Sequence, residues 1–319
     1  MTRTRLRDAK RWAPFAWAAV PFALAATAIA ATPEAAPQAS RDQVARALDA
    51  LRPVLATSAR KIDTAKPGTL EHAIAAFAPA RFHPVDEGAL PPAQTGAKCP
   101  PEMAVVASRF CVDRWEAALD EIGADGTMRP HPPSHELEVG HAYVARSTRG
   151  VFPQAYVSAS QAVRACRAAG KRLCQAVEWR AACGGSAGTA FPYGPARIAG
   201  TCHDTGAAPM LVFHADTMKR GWGNIELNDP RLNELPNTVA KTGAFPACVN
   251  DYGVFDMVGN LHEWTADPNG TFQGGYWLDT AEHGDGCAYR TIAHPFDYHD
   301  YSTGFRCCAD ALVSPDPSP

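Results

Sequence analysis

The chain has 319 residues, 46% of them hydrophobic, and a formal net charge of −3. A C-terminal part of this size can bury a core of its own, which excludes a mini-scaffold that depends on bridges for want of packing. Lys and Arg form no cluster beyond the first eleven residues, which weighs against nucleic acid as a partner.

At the start, Arg3, Arg5, Arg7, Lys10 and Arg11 stand against a single Asp8, and an uncharged apolar run from Trp12 to Ala31 follows. This is the layout of a secretory signal peptide, residues 1–31, with an A-x-A-like cleavage site around Thr27 to Ala31. The alternative is an uncleaved signal anchor, which would be the only contact with a membrane. Either way the protein is expected to be exported, periplasmic or extracellular. Residues 32–98 read as a linker and helical stalk. Thr32 to Ala39 is rich in Pro and Ala, Ser40 to Gln43 matches a capping box, and Val44, Leu48 and Leu51 mark an apolar face before Pro53. A Pro- and Gly-containing stretch, Asp86 to Lys98, then leads into the main domain, residues 99–312, and a tail read as disordered, 313–319, follows.

Within the domain the pattern predicts two helices. The first, about Ser160 to Ala169, turns Val163 and Cys166 inward and Arg164 and Arg167 outward, and stops at Gly170. The second runs from about Gln175 to Cys183. Strand-like pieces lie near Met103 to Ala107, Gly275 to Leu278 and Gly304 to Cys308, and the remainder is loops and turns. Ten cysteines, an even number confined to positions 99 to 308, point to five disulfides in an exported chain; zinc is the competing explanation, but there is no C-x-x-C pair.

Six motifs follow in order: Phe110 to Glu116, Gly170 to Trp179, Phe191 to Gly194, Tyr252 to Trp264, Gly274-Gly275, and Gly304 to Cys307. Together they strongly resemble the formylglycine-generating enzyme, or sulfatase-modifying factor, family, over Cys99 to Asp310. The resemblance implies an α+β fold, a loop-rich, disulfide-stapled variant of the C-type lectin fold. Gly259 and Asn260 suit a sharp turn, and Trp179 and Trp264 have the bulk to anchor a core. Arg114, Glu178, Glu263 and Arg306 offer charge-assisted pairs that one sequence does not assign.

Activity in the namesake enzymes, the resemblance implies, rests on two copper-binding cysteines between the Gly-Gly pair and the next structural cysteine. Here that interval, Tyr276 to Gly286, holds no cysteine. Asp279 falls at the first position and Glu282 lies near the second. Cu(I) prefers thiolates and carboxylates favour hard cations, which weighs against copper and against formylglycine generation.

Motif matching further implies Cys166 with Cys307 and Cys183 with Cys287. That leaves Cys99 near Cys111, Cys174 with Cys308, and Cys202 with Cys248. Neighbours on a strand, Cys307 and Cys308 point to opposite faces, so two separate partners make sense. The resemblance also implies a calcium ion in the segment Asp256 to Trp264, held by Asp256, Asn260 and Glu263 with carbonyls of Val258 and Leu261; a hydrogen-bonded turn without metal is the alternative. His262, Trp277, Asp279, Glu282 and His283 are the candidate groove residues. Two function classes follow: a binding or accessory module for a peptide, glycan or protein ligand, and a metal-dependent oxidoreductase with other chemistry, for which iron is the metal to consider.

Overall fold

The computed structural model describes residues 89–312 apart from Trp222. The expected signal peptide, the stalk up to residue 88 and the tail lie outside the described residues. The first two strands, β1 (Met103–Val106) and β2 (Phe110–Asp113), pair antiparallel across a turn in which Ala107 and Ser108 take positive φ of 49° and 55°. β3 (Ala117–Ile122) lies between β4 (Met128–Pro130) and β5 (Ala142–Ser147) in a separate three-stranded sheet. Residues ahead of Cys99 already belong to this fold: Lys98 pairs with Leu312, and Leu90 packs on the core.

Helix α1 (Ala159–Ala168) opens with a capping box in which the Ser158 hydroxyl accepts from the Gln161 N–H and the Gln161 side chain accepts from the Ser158 N–H. The cap is therefore Ser158, two residues ahead of the expected helix start at Ser160. Ala159, Ala162, Ala165 and Cys166 form its buried face, and Val163 is only half-buried. β6 (Arg172–Leu173) and α2 (Ala176–Gly184) follow, then four short helices: α3 (Pro209–Phe213), α4 (Ala215–Met218), α5 (Asn224–Leu227) and α6 (Arg231–Glu234). The remaining strands are β7 (His262–Trp264), β8 (Phe272–Gln273), β9 (Arg290–Thr291), β10 (Thr303–Phe305) and β11 (Cys307–Asp310).

Two four-stranded sheets result, in the orders β1-β2-β11-β6 and β10-β7-β8-β9. The single strand expected over Gly304 to Cys308 is thus two strands in two sheets, and the chain crosses between them at Arg306. Gly275 to Leu278, expected as a strand, is a turn in which the backbones of Tyr276 and Asp279 pair. Gly275, at φ +72°, permits it, since a Cβ there would meet the Asp279 carbonyl.

Five disulfides join Cys99 to Cys111, Cys166 to Cys307, Cys174 to Cys308, Cys183 to Cys287 and Cys202 to Cys248, and no described cysteine is free. Cys308 packs in one apolar core with Phe110, Trp179 and Met257, while Cys307 packs in another with Trp264, Phe272 and Phe305. Alternation along β11 thus sends the neighbouring cysteines into separate cores. Among the described residues no helix is long and apolar enough to cross a membrane.

Candidate functional site

The interval after Gly275 folds into a braced loop. Asp279 Oδ1 accepts from the Ala281 and Glu282 N–H groups, both at 2.9 Å, and Oδ2 accepts from the Tyr289 hydroxyl at 2.9 Å. Burial pushes the Asp279 carboxyl up, but these donors and the nearby His262 outweigh it and hold the group below the ordinary carboxylate range. Ligand atoms of Asp279, Glu282 and His283 all lie within 4.8 Å of one another, and among the described residues this is the one such group of His, Cys, Asp or Glu side chains. Asp279 is half-buried, whereas Glu282 and His283 are exposed. His283 also lines a cleft of about 560 Å³ whose walls include Arg180, Thr189, Cys287 and Arg290.

Two of the expected groove residues lie behind this loop instead of on the surface. Trp277 is fully buried, its indole N–H donating to the Ala207 carbonyl at 2.8 Å. Gly206 leaves room for it, because a Cβ there would run into the ring. Bulk and a single satisfied polar atom make Trp277 a core anchor. His262 is 6% exposed, with its ring centroid 4.9 Å from that of Tyr276 and 5.5 Å from that of Tyr289. Burial drives its pKa down to about 3, so the imidazole is neutral at physiological pH.

Asp256, Asn260 and Glu263 belong to a different, buried centre. Arg306, 0% exposed, forks onto Glu263 at 2.6 and 2.7 Å and also donates to the Asp113 and Phe255 carbonyls. The Trp179 indole N–H takes Glu263 Oε2 as well, at 2.7 Å. Asn260 is engaged by Glu116 and by the Ala240 backbone, and Asp256 accepts from the Gly243 N–H. Both Glu263 oxygens and the Asn260 oxygen accept from protein donors, Asp256 accepts one bond, and a full guanidinium charge stands among them. The three residues therefore do not fit the calcium site expected on them, and the hydrogen-bonded turn describes them instead. The other charged motif residues also find partners: Glu178 takes Arg172 at 2.6 Å, and Arg114 donates to the carbonyls of Pro101, Tyr252 and Gly253.

Three carboxylates thus share one buried cation, and their protonation answers for the imbalance. Burial first, then Asp256 and Glu263, push Glu116 well up, and burial pushes Asp256 up to about 6 against the pull of the Gly243 N–H and Arg306. The folded protein holds these protons at pH values where unfolded carboxylates have lost them. The contribution of the Asp256 proton is therefore complete below about pH 4 and is lost as the pH rises through about 6. Asp256 sits at φ +57°, a conformation asparagine also adopts readily. Asp256→Asn is expected to reduce the loss of stability between about pH 4 and pH 7 by up to about 3 kcal/mol, read as urea midpoints at the two pH values. An unchanged pH slope would show that Asp256 releases its proton as an exposed aspartate does.

A family model, the sulfatase-modifying factor enzyme 1-like domain, matches residues 111–311. The chain belongs to this family. Its fold is the family's loop-rich α+β variant of the C-type lectin fold, and its five disulfides belong to a compartment outside the reducing cytosol. A bovine (Bos taurus) protein named inactive C-alpha-formylglycine-generating enzyme 2 is 29% identical over 171 residues, covering 50% of this chain and 51% of its own. Mouse (Mus musculus) formylglycine-generating enzyme is 28% identical over 212 residues, covering 58% of this chain and 50% of its own. The chain thus spans about half the length of these curated relatives. Among solved structures, a major tropism determinant P3c variant matches with a TM-score of 0.38 and 17% identity, covering 69% of this chain and 55% of that one.

Within this sulfatase-modifying factor domain, sequence reasoning singled out Asp279, Glu282 and His283, which the loop does bring together. It gave no part to Tyr289, whose hydroxyl braces Asp279, or to Glu116, although Glu116 closes the first motif. Spacing from Gly275 could not find Tyr289, because the turn Gly286–Ala288 and the bond from the Gly274 N–H to the Tyr289 carbonyl bring it back to the loop.

Proposed function

We propose that this protein is an exported sulfatase-modifying-factor domain that binds or assists a peptide, glycan or protein ligand instead of oxidising a peptide cysteine. What supports this most is the pairing of every cysteine: the loop after Gly275 presents two carboxylates and an imidazole where the family resemblance puts a thiolate pair, and no thiol elsewhere is left to serve. The bovine relative bears a name that calls it inactive, which fits the same reading. The signal-like pattern of residues 1–31 and the five disulfides support export. A cleft of about 700 Å³, lined by Glu136, His214, Asn228, Asp229, Ile225 and Tyr298 among others, offers a mixed polar and apolar surface for such a ligand.

A second reading, a metal-dependent oxidoreductase with other chemistry, is favoured by the convergence of Asp279, Glu282 and His283. Elemental analysis of the purified protein separates the two readings, bound redox-active iron or copper favouring the second; the proposal itself is tested by offering the protein a Cys-x-Pro-x-Arg peptide with oxygen and copper. No formylglycine above a protein-free copper control is expected by mass spectrometry. Conversion of the peptide would overturn the accessory reading.

A further inference from the structure

The geometry points to a binding site for a first-row divalent cation, of the manganese, iron, cobalt or zinc kind, formed by Asp279, Glu282 and His283 at the mouth of the cleft that His283 lines. The three ligand atoms already lie within 4.8 Å of one another, so one ion can touch all three with small side-chain adjustments. The loop is set before any ion arrives. Its Tyr276 and Asp279 backbones pair, the Asp279 carboxylate takes two N–H groups of its own turn, and the Arg290 N–H holds the His283 carbonyl at 3.1 Å. Carboxylate oxygens keep further lone pairs after accepting these bonds, so Asp279 remains a competent ligand.

The donor set chooses the class of metal. An imidazole beside two carboxylates suits borderline first-row ions, whereas calcium and magnesium take oxygen alone and Cu(I) wants sulfur. Exposure of Glu282 and His283 leaves the remaining positions to water or to an oxygen-bearing ligand in the cleft.

A second observation lies behind the loop. His262 is 6% exposed, yet its Nδ1 has no hydrogen-bond partner. Its ring packs between Tyr276 and Tyr289, the two residues that brace Asp279 from either side. A buried, unpartnered ring nitrogen is costly and calls for a reason. The unpartnered imidazole thus lies against the two tyrosines that hold the ligand loop in place. Tyr289, with its hydroxyl on Asp279, then acts as the outer-shell partner that orients a ligating carboxylate.

The proposal is independent of the accessory reading, since it concerns a bound ion and no peptide. Its test is a titration of the purified protein with Mn²⁺ alone, followed by electron paramagnetic resonance of the free ion, and with Co²⁺ alone, followed by visible absorption. One equivalent is expected to bind, and excess Ca²⁺ is expected not to displace it. Glu282→Gln and His283→Ala, both at exposed positions, should abolish binding without lowering the melting temperature. Tyr289→Phe should weaken it by about 10- to 100-fold. Absence of binding, displacement by Ca²⁺, or undiminished binding in both the Glu282 and His283 variants would overturn the proposal.

Discussion

Arg306→Met is expected to destabilise the domain by about 3–5 kcal/mol, the cost of removing one partner from a buried ion pair. The side chain is 0% exposed and makes its two shortest bonds to Glu263, itself 1% exposed. With the guanidinium gone, Glu263 keeps the Trp179 indole but loses its counter-charge, and the carboxyls of Glu116 and Asp256 lose the cation that offsets them. The carbonyls of Asp113 and Phe255 lose their donors as well. Urea unfolding at neutral pH should register the loss as a lower midpoint at an unchanged slope. The double variant Arg306→Met/Glu263→Leu should recover only the part due to the unpaired Glu263 charge, because the Asp113 and Phe255 carbonyls stay without this donor and the buried Trp179 indole N–H loses its acceptor. If Arg306→Met unfolds at the wild-type midpoint, the pair contributes nothing net to stability.

The second large effect concerns the bridges of β11. Taken alone, a disulfide closing a loop as long as that between Cys166 and Cys307, 141 residues apart, would be worth about 5 kcal/mol in chain entropy. Here Cys174 and Cys308, 134 residues apart, close almost the same loop. With that second bridge intact, the pair Cys166 and Cys307 closes only a loop of roughly ten residues, worth about 3 kcal/mol. Cys166→Ala/Cys307→Ala should therefore cost about 3 kcal/mol beyond packing losses, and removing both bridges about 6 kcal/mol, because Cys183 to Cys287 still holds the ends near each other. The check is equilibrium unfolding under non-reducing conditions. A loss of about 5 kcal/mol for the first pair alone would contradict the nested-loop account.

Much of the architecture was legible where local rules decide. Gly170 follows the end of α1, whose cap lies two residues ahead of the expected start, and the short apolar run at Met103 to Val106 gives β1. The bridges were legible only through the family resemblance, since ten cysteines pair in too many ways for spacing alone to choose. What escaped was set by distant packing. The run from Gly304 to Cys308 looks like one strand, but the demand of Glu263 for Arg306 breaks it between two sheets. Trp277 and His262 flank the right loop in sequence, yet burial turns one into a core anchor and the other into a neutral ring beneath the surface. Asp256, Asn260 and Glu263 have the spacing of a cation loop, and only Glu116, Gly243 and Arg306, from other parts of the chain, show why their oxygens are already taken.

The place of β11 between β2 and β6 also fixes the order of events in the domain's folding. A chain emerging from its N-terminal end presents β2 and β6 long before the strand that joins them, and Cys166 and Cys174 arrive more than 130 residues ahead of their partners. During that interval both thiols are unprotected, with Cys183 and Cys202 close by in sequence to mispair with. In an oxidising compartment such errors form and must be undone by thiol–disulfide exchange. Closure of the Cys166–Cys307 and Cys174–Cys308 bridges therefore waits until residues 307–310 are available, and any earlier mispairing of these thiols must be undone first.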